Sequence, residues 1–210
     1  MTLVGRLARI SGLVVPGLFV SGCHWMADDL RLTPPTTIAA PSLRPFADGT
    51  NWIVERDLVF RYTGWPEIRV PKGFVTDLAS VPALAQSIRS RVGTYSRAAI
   101  LHDYLYWSGR CTRDQSDVIF YHAMKTSGST DTVAGQVYFA VSKFGKSAYK
   151  TNQSERRAGM TRTLAPDQFG LADVNGWLAL RKTLPSVTPS PDSSPPDYCA
   201  LGNNMPTRKR

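Results

Sequence analysis

The stretch AAILHDYLYW, residues 98–107, places His102 and Asp103 inside an apolar run that has helical periodicity. Thr94 or Ser96 can cap the start of this helix, and the following Ser-Gly pair ends it. Two ionisable groups within an apolar helix are costly to bury unless other groups pair with them. Whatever packs against this helix must therefore supply polar partners at a matching depth.

A second helix is predicted from about Thr112, which can act as its N-cap, to about Lys125. Asp117 heads its apolar stripe, followed at helical spacing by Phe120, Tyr121 and Met124. Because the connection after Trp107 is short, the two helices are expected to pack antiparallel. A carboxylate on such a face needs a partner.

These two helices predict a site made of an imidazole, two carboxylates and a phenol. His102 and Tyr106 are four residues apart and share a helix face, with Asp103 beside them. Asp117 is expected to meet His102. One interpretation is a working site, and the other is a satisfied polar network that pins the helices together.

The rest of the chain predicts an α+β fold, with a small antiparallel sheet over about residues 50–77 followed by two or three packed helices. The third helix is predicted from the run DTVAGQVYFAVSKFGKSAYK, residues 131–150. The predicted organisation is a signal peptide at 1–22, a tether at 23–45, one globular domain at 46–150, an uncertain extension at 151–182 and a disordered proline-rich tail at 183–210.

Residues 1–22 have the zones of a secretion signal: two arginines, an apolar stretch and small residues before Cys23. The segment VSGC resembles the lipobox of bacterial lipoproteins, which implies acylation of Cys23. An uncleaved anchor, or cleavage that leaves Cys23 as an ordinary thiol, is the alternative. On each interpretation the protein is exported, and a lipidated protein would lie on the periplasmic or cell-surface side of a bacterial membrane.

The chain is basic, with a formal net charge of +9 that removal of Arg6 and Arg9 with the signal would lower to +7. Such a charge suits an anionic lipid surface or another anionic envelope polymer. The lysines and arginines are scattered rather than grouped with aromatic residues, so no nucleic-acid partner is expected.

If Cys23 carries lipid, Cys111 and Cys199 remain, and an oxidising compartment would allow them to form a disulfide. Two unpaired thiols are the other interpretation. With three histidines and no HExxH motif, a zinc peptidase is not expected, and no GxSxG elbow or P-loop occurs.

The segments HDYLY and DVIFYHAM resemble the two-helix core of secreted phospholipase A-two enzymes, over about 30 residues. The resemblance implies that His102 is the general base, Asp117 orients it, Tyr106 supports it and Asp103 binds calcium. Asp77 could give calcium a further oxygen ligand. The flanking cysteines and the glycine-rich calcium loop of those enzymes are absent from this sequence.

The segments VPKGFVTDLASVP, AAILHDYLY and TRDQSDVIF resemble an uncharacterised domain family found in phages, prophages and bacteria. The match covers roughly residues 45–145, and its polar signature residues are Thr76, Asp77, Ser80, His102, Asp103, Arg113 and Asp117. That family brings no settled activity. The alternative for Asp77 and Ser80 is a role as turn and cap residues only, and Arg113 is expected to pair with a carboxylate such as Asp103 or Asp117.

The sequence therefore favours a phage- or prophage-derived envelope lipoprotein with a phospholipase-like His-Asp site that hydrolyses a lipid or cell-envelope ester. The alternative is a non-enzymatic envelope or virion protein, such as a superinfection-exclusion or host-lysis accessory protein. Its partners would then be an envelope protein and the host membrane, and its polar cluster would be structural.

Overall fold

The computed structural model describes residues 36–78, 94–188 and 194–205. Contacts divide the chain into Met1–Thr33 and Pro34–Arg210, and every described residue belongs to the second unit. The predicted signal sequence, the predicted acylation site Cys23 and the signature residue Ser80 lie outside the described residues.

Within the described residues, two antiparallel sheets of three strands precede the helices. The strands are β1 (Thr37–Ile38), β2 (Leu43–Pro45), β3 (Trp52–Val54), β4 (Leu58–Arg61), β5 (Ile68–Val70) and β6 (Val75–Thr76). The first sheet has the order β1-β4-β5 and the second has the order β2-β3-β6. Along β4, Leu58 and Phe60 point into the core while Arg61 is exposed, which is the alternation expected of a half-buried strand. The α+β prediction is confirmed.

The sheet begins earlier than the sequence predicts. Residues 37–45 were expected to lie within the tether, but they form β1 and β2. Thr37 of β1 pairs with Arg61 of β4, and Leu43 of β2 pairs with Val54 of β3. Each short strand therefore forms an edge of one of the two sheets. Strands of two or three residues are too short to show an alternating pattern, which is why the sequence does not reveal them.

The helices are α1 (Thr94–Ser108), α2 (Arg113–Thr126), α3 (Asp131–Phe144), α4 (Lys146–Arg157) and α5 (Trp177–Arg181), with 3₁₀ helices at Pro166–Asp173 and Asp197–Asn203. Thr112 caps α2 through a capping box with Gln115, as the sequence predicts. None of these helices has the length and apolar character needed to span a membrane.

The predicted third helix is broken in two at Gly145, which separates α3 from α4. A Cβ atom placed on Gly145 would collide with the hydroxyl oxygen of Tyr106. The backbone therefore approaches the Tyr106 side chain more closely than any other residue would allow. Helical periodicity carries no signal for this approach, so the break was not predicted.

Two apolar cores hold the fold together. The larger contains buried side chains of the first sheet and of α1, α2 and α3. The smaller joins Ile53 and Val75 of the second sheet to Leu164, Phe169 and Trp177. Residues 151–182, predicted only as an uncertain extension, therefore complete the packing of the second sheet.

The proline-rich tail also has an ordered part, although the sequence predicts disorder over 183–210. Cys199 forms a disulfide with Cys111, and the 3₁₀ helix around it packs on α2. His122 of α2 donates from Nε2 to the carbonyl oxygen of Asn204 at 2.9 Å. A segment rich in proline and poor in apolar residues is thus held by one covalent bond and by hydrogen bonds that its composition does not indicate.

Replacing both Cys111 and Cys199 with alanine should lower the free energy of unfolding by about 2–5 kcal/mol, because the bond closes a loop of 88 residues. Urea denaturation of the oxidised protein and the double variant measures this difference. Cys23→Ser is the matched control and should leave the value unchanged. Equal stability of the double variant and the control would contradict the disulfide.

His122 should make stability depend on pH. Burial lowers the pKa of His122 below its ordinary value of 6.5, against the opposing effect of its bond to Asn204. The unfolded chain then binds the proton more readily, so this contribution is complete above about pH 6.5 and is lost as the pH falls below it. When the pH is lowered from 7.5 to 5.5, the free energy of unfolding should fall less for His122→Gln than for the wild type. Urea denaturation at the two pH values measures this difference. An identical decline would show that His122 is not the titrating group.

Candidate functional site

The predicted pair of His102 and Asp117 meets at the contact between α1 and α2. Nε2 of His102 lies 2.9 Å from Oδ1 of Asp117. Exposure of the residues is 0% for His102 and 1% for Asp117, so the pair is isolated from solvent. The prediction that a carboxylate of the second helix meets His102 at the matching depth is confirmed.

Tyr106 joins the same carboxylate oxygen. Its hydroxyl donates to Oδ1 of Asp117 at 2.6 Å, so that atom accepts from two donors on α1. Burial, together with the charge of Asp117, raises the pKa of Tyr106 and keeps the phenol protonated as a donor. Tyr106 therefore helps to hold the carboxylate that also binds His102.

Two aromatic rings hold the imidazole in place. The ring of Phe120 stacks on His102, with centroids 4.4 Å apart and an interplanar angle of 20°. The ring of Tyr106 lies on His102 at 4.1 Å. Phe120 follows Asp117 by three residues on α2, so the same helix face supplies both the acceptor and the stacking ring. The sequence shows that stripe but does not indicate the stacking.

The hydrogen bonds assign the protons. A carboxylate only accepts, so Nε2 of His102 carries a hydrogen that it donates to Asp117. In the neutral ring, Nδ1 then has a free lone pair. Both Nδ1 of His102 and Oδ2 of Asp117 are buried and have no hydrogen-bond partner among the described residues. A buried polar atom left without any partner costs about 1–3 kcal/mol, so both atoms are candidates for a hydrogen bond to a bound molecule.

Thr76 and Asp103 form a second buried contact, between β6 and α1. The Thr76 hydroxyl donates to Oδ2 of Asp103 at 2.5 Å, and both residues are fully buried. The same hydroxyl oxygen accepts from the backbone N–H of Leu78 at 3.2 Å. Leu78 has a φ of +53°, a left-handed conformation that is uncommon for a residue with this side chain. Asp103 thus ties the helix to the sheet at a strained turn.

Asp77 lies in a different environment from Asp103. Its carboxylate is partly exposed and is 3.5 Å from the guanidinium of Arg162. Arg162 also donates to the carbonyl oxygen of Val75 and to Asn152. A neighbouring cation disfavours the binding of a second cation. No group of three or more His, Cys, Asp or Glu residues suited to a metal ion occurs in residues 36–78, 94–188 and 194–205. The two carboxylates that would hold calcium by the resemblance are thus each engaged by a protein group, Arg162 for Asp77 and Thr76 for Asp103.

Arg113 pairs with a carboxylate, as expected, but its partner is Asp114 rather than Asp103 or Asp117. Its guanidinium donates to Asp114 at 2.6 Å and to the carbonyl oxygen of Ser142 at 2.8 Å. The side chain therefore joins the start of α2 to the end of α3. Sequence spacing identifies neighbours along one helix but not which of several acceptors a long side chain reaches.

Residues 52–141 match the family described as "Protein of unknown function (DUF1353)". The expectation of an uncharacterised domain family over roughly residues 45–145 is confirmed in that form. No curated protein and no solved structure matches the chain.

Tyr106→Phe should lower the free energy of unfolding by about 1.5–3 kcal/mol, because it removes a hydrogen bond to a buried carboxylate. Tyr149→Phe is the matched control. It removes a hydroxyl that donates to the uncharged carbonyl oxygen of Cys111, so a smaller loss of about 0.5–1.5 kcal/mol is expected. Urea denaturation measures both. A larger loss for Tyr149→Phe would contradict a charged acceptor at Asp117.

Proposed function

We propose that the protein is an exported, lipid-anchored hydrolase that cleaves an ester bond of a lipid or cell-envelope substrate, with His102 as general base. One observation carries this proposal: Nε2 of His102 is bonded to Asp117 while the buried Nδ1 has no partner among the described residues. A general base needs a nitrogen with a free lone pair and a second nitrogen held by an anchoring group.

The proposed reaction is the addition of water to an ester. Nδ1 of His102 takes a proton from water as the water oxygen bonds to the ester carbonyl carbon. The tetrahedral intermediate then expels the alkoxide, which receives the proton from His102 and leaves as an alcohol. Asp117 stabilises the imidazolium that forms between these steps, and Tyr106 keeps its carboxylate in position.

His102 is fully buried, so the reaction requires the surroundings of Nδ1 to open when substrate binds. No step in this proposal is assigned to calcium, because Asp77 is paired with Arg162 and Asp103 is bonded to Thr76. The assay below includes calcium as a variable because the resemblance implies that ion.

Export and anchoring are proposed from residues 1–23, whose order of basic, apolar and small residues ends in VSGC. The disulfide between Cys111 and Cys199 supports an oxidising compartment. Phage or prophage origin is part of the same proposal and rests on the resemblance of the GFVTD and HDYLY segments.

A second candidate function is a non-enzymatic envelope protein, such as a superinfection-exclusion or host-lysis accessory protein. The observation that favours it is the complete burial of His102. In this account the cluster of His102, Tyr106 and Asp117 fixes α1 against α2 and meets no substrate.

Hydrolysis of phospholipid esters by the full chain, with and without calcium, separates the two functions. His102→Ala should lower kcat by about 10²- to 10⁴-fold, and Asp117→Asn should lower it by a similar factor because the tautomer is no longer fixed. His122→Gln, which changes another buried histidine, is the matched control and should retain activity.

Unfolding midpoints must show that each variant is folded at the assay temperature. Folded wild type without activity on any phospholipid or envelope ester would reject the hydrolase and favour the structural role. Activity that survives His102→Ala would reject His102 as the base.

A further inference from the structure

Two large apolar side chains project from the end of α3. Phe139 is 59% exposed and Phe144 is 67% exposed, although both lie on a helix whose other face is buried. They are five positions apart, so they lie within two turns of each other but leave the helix in different directions. Two exposed rings this close together in the chain make this part of the helix a candidate for contact with something outside the domain.

Cations follow these rings closely in the chain, at the end of α3 and along α4. Nζ of Lys143 lies 5.8 Å from the Phe139 ring centroid. On α4, Lys146, Lys150 and Arg157 are spaced so that they share one face of the helix. These four cations have no ion-pair partner among the described residues. We call the set the α3–α4 corner: Phe139, Lys143, Phe144, Lys146, Lys150 and Arg157.

Acidic residues do not offset this charge. Glu155 is the one acidic residue of α4, and its carboxylate pairs with Arg181 at 2.8 Å. Elsewhere in the described part of the chain, arginines such as Arg44 and Arg69 are matched by carboxylates within 3.1 Å. The corner therefore combines exposed aromatic surface with a local excess of cations.

We infer that the α3–α4 corner docks on the surface of an anionic lipid bilayer. Phenylalanine rings enter the boundary between head groups and acyl chains, while lysines and arginines beside them contact lipid phosphates. Lysine is depleted from protein–protein interfaces, and three of the four cations are lysines. The composition therefore fits a lipid surface better than a protein partner.

Gly145 connects the α3–α4 corner to the buried cluster of His102, Tyr106 and Asp117. Gly145 lies between Phe144 and Lys146, and its backbone approaches the hydroxyl of Tyr106, which donates to Asp117. The inference goes beyond the proposed function and does not depend on catalysis, since none of the corner residues belongs to the cluster.

Binding of the full chain to large unilamellar vesicles tests the inference. All proteins carry Cys23→Ser, so that no acyl group contributes and the N-terminal segment is the same in each. Vesicles of phosphatidylcholine alone are compared with vesicles that contain 30 mol% phosphatidylglycerol. Each cation near an anionic leaflet contributes roughly fivefold in binding. We therefore expect at least about tenfold tighter binding to the anionic vesicles, weakened by added salt.

Lys146→Glu/Lys150→Glu should reduce binding to the anionic vesicles by at least about tenfold. Arg56→Glu/Lys72→Glu changes the net charge equally at exposed positions between the strands, outside α3 and α4, and should reduce binding by less than about threefold. Phe139→Ala/Phe144→Ala should weaken binding several-fold while leaving the salt dependence intact, because it removes insertion but not charge.

Equal losses for the two charge-reversal pairs would overturn the inference, since net charge rather than the corner would then control binding. Unchanged vesicle binding after reversal of the corner would overturn it as well. Binding of duplex DNA that is lost in the corner variants, without vesicle binding, would assign the surface to nucleic acid instead. His102→Ala should bind vesicles like the wild type, so a failure of hydrolysis and a failure of docking are distinguishable.

Discussion

The carboxylate of Asp117 is the group on which the helical half of the domain depends. Its Oδ1 accepts hydrogen bonds from His102 and Tyr106, one turn apart on α1, so the two helices can meet in one register only. Removal of this acceptor would leave two buried donors unpaired at a cost of several kcal/mol. The close approach of Gly145 to Tyr106 then positions the junction of α3 and α4 against the same group.

The second sheet and the C-terminal segment also contact α1 and α2 and help to fix their positions. Thr76 bonds to Asp103 and ties α1 to the second sheet, and residues 151–182 complete the apolar core of that sheet. The disulfide and the bond from His122 to Asn204 hold the tail on α2. The imidazole of His102 is thereby fixed in orientation, with one nitrogen bonded and the other without a partner among the described residues.

Local periodicity predicted the part of the site that lies along two neighbouring helices. The spacing of His102 and Tyr106, and the place of Asp117 at the head of an apolar stripe, follow from helix geometry. Contacts between distant segments were not predictable in this way. Thr37 pairs with Arg61 through strands too short to show a pattern, and Arg113 reaches Asp114 and the carbonyl oxygen of Ser142 rather than Asp103 or Asp117. Gly145, between α3 and α4, approaches Tyr106 in a tertiary contact, and periodicity does not show such contacts.

The central claim is that His102 is held as the Nε2–H tautomer by Asp117, with Nδ1 free to accept a proton. Nitrogen-15 NMR of the histidine side chains reports this directly, with His102 assigned by comparison with His102→Ala. The account predicts a protonated Nε2 and an unprotonated Nδ1 at neutral pH, and loss of that preference in Asp117→Asn. A proton on Nδ1 with a bare Nε2, or rapid exchange between the two tautomers in the wild type, would contradict it.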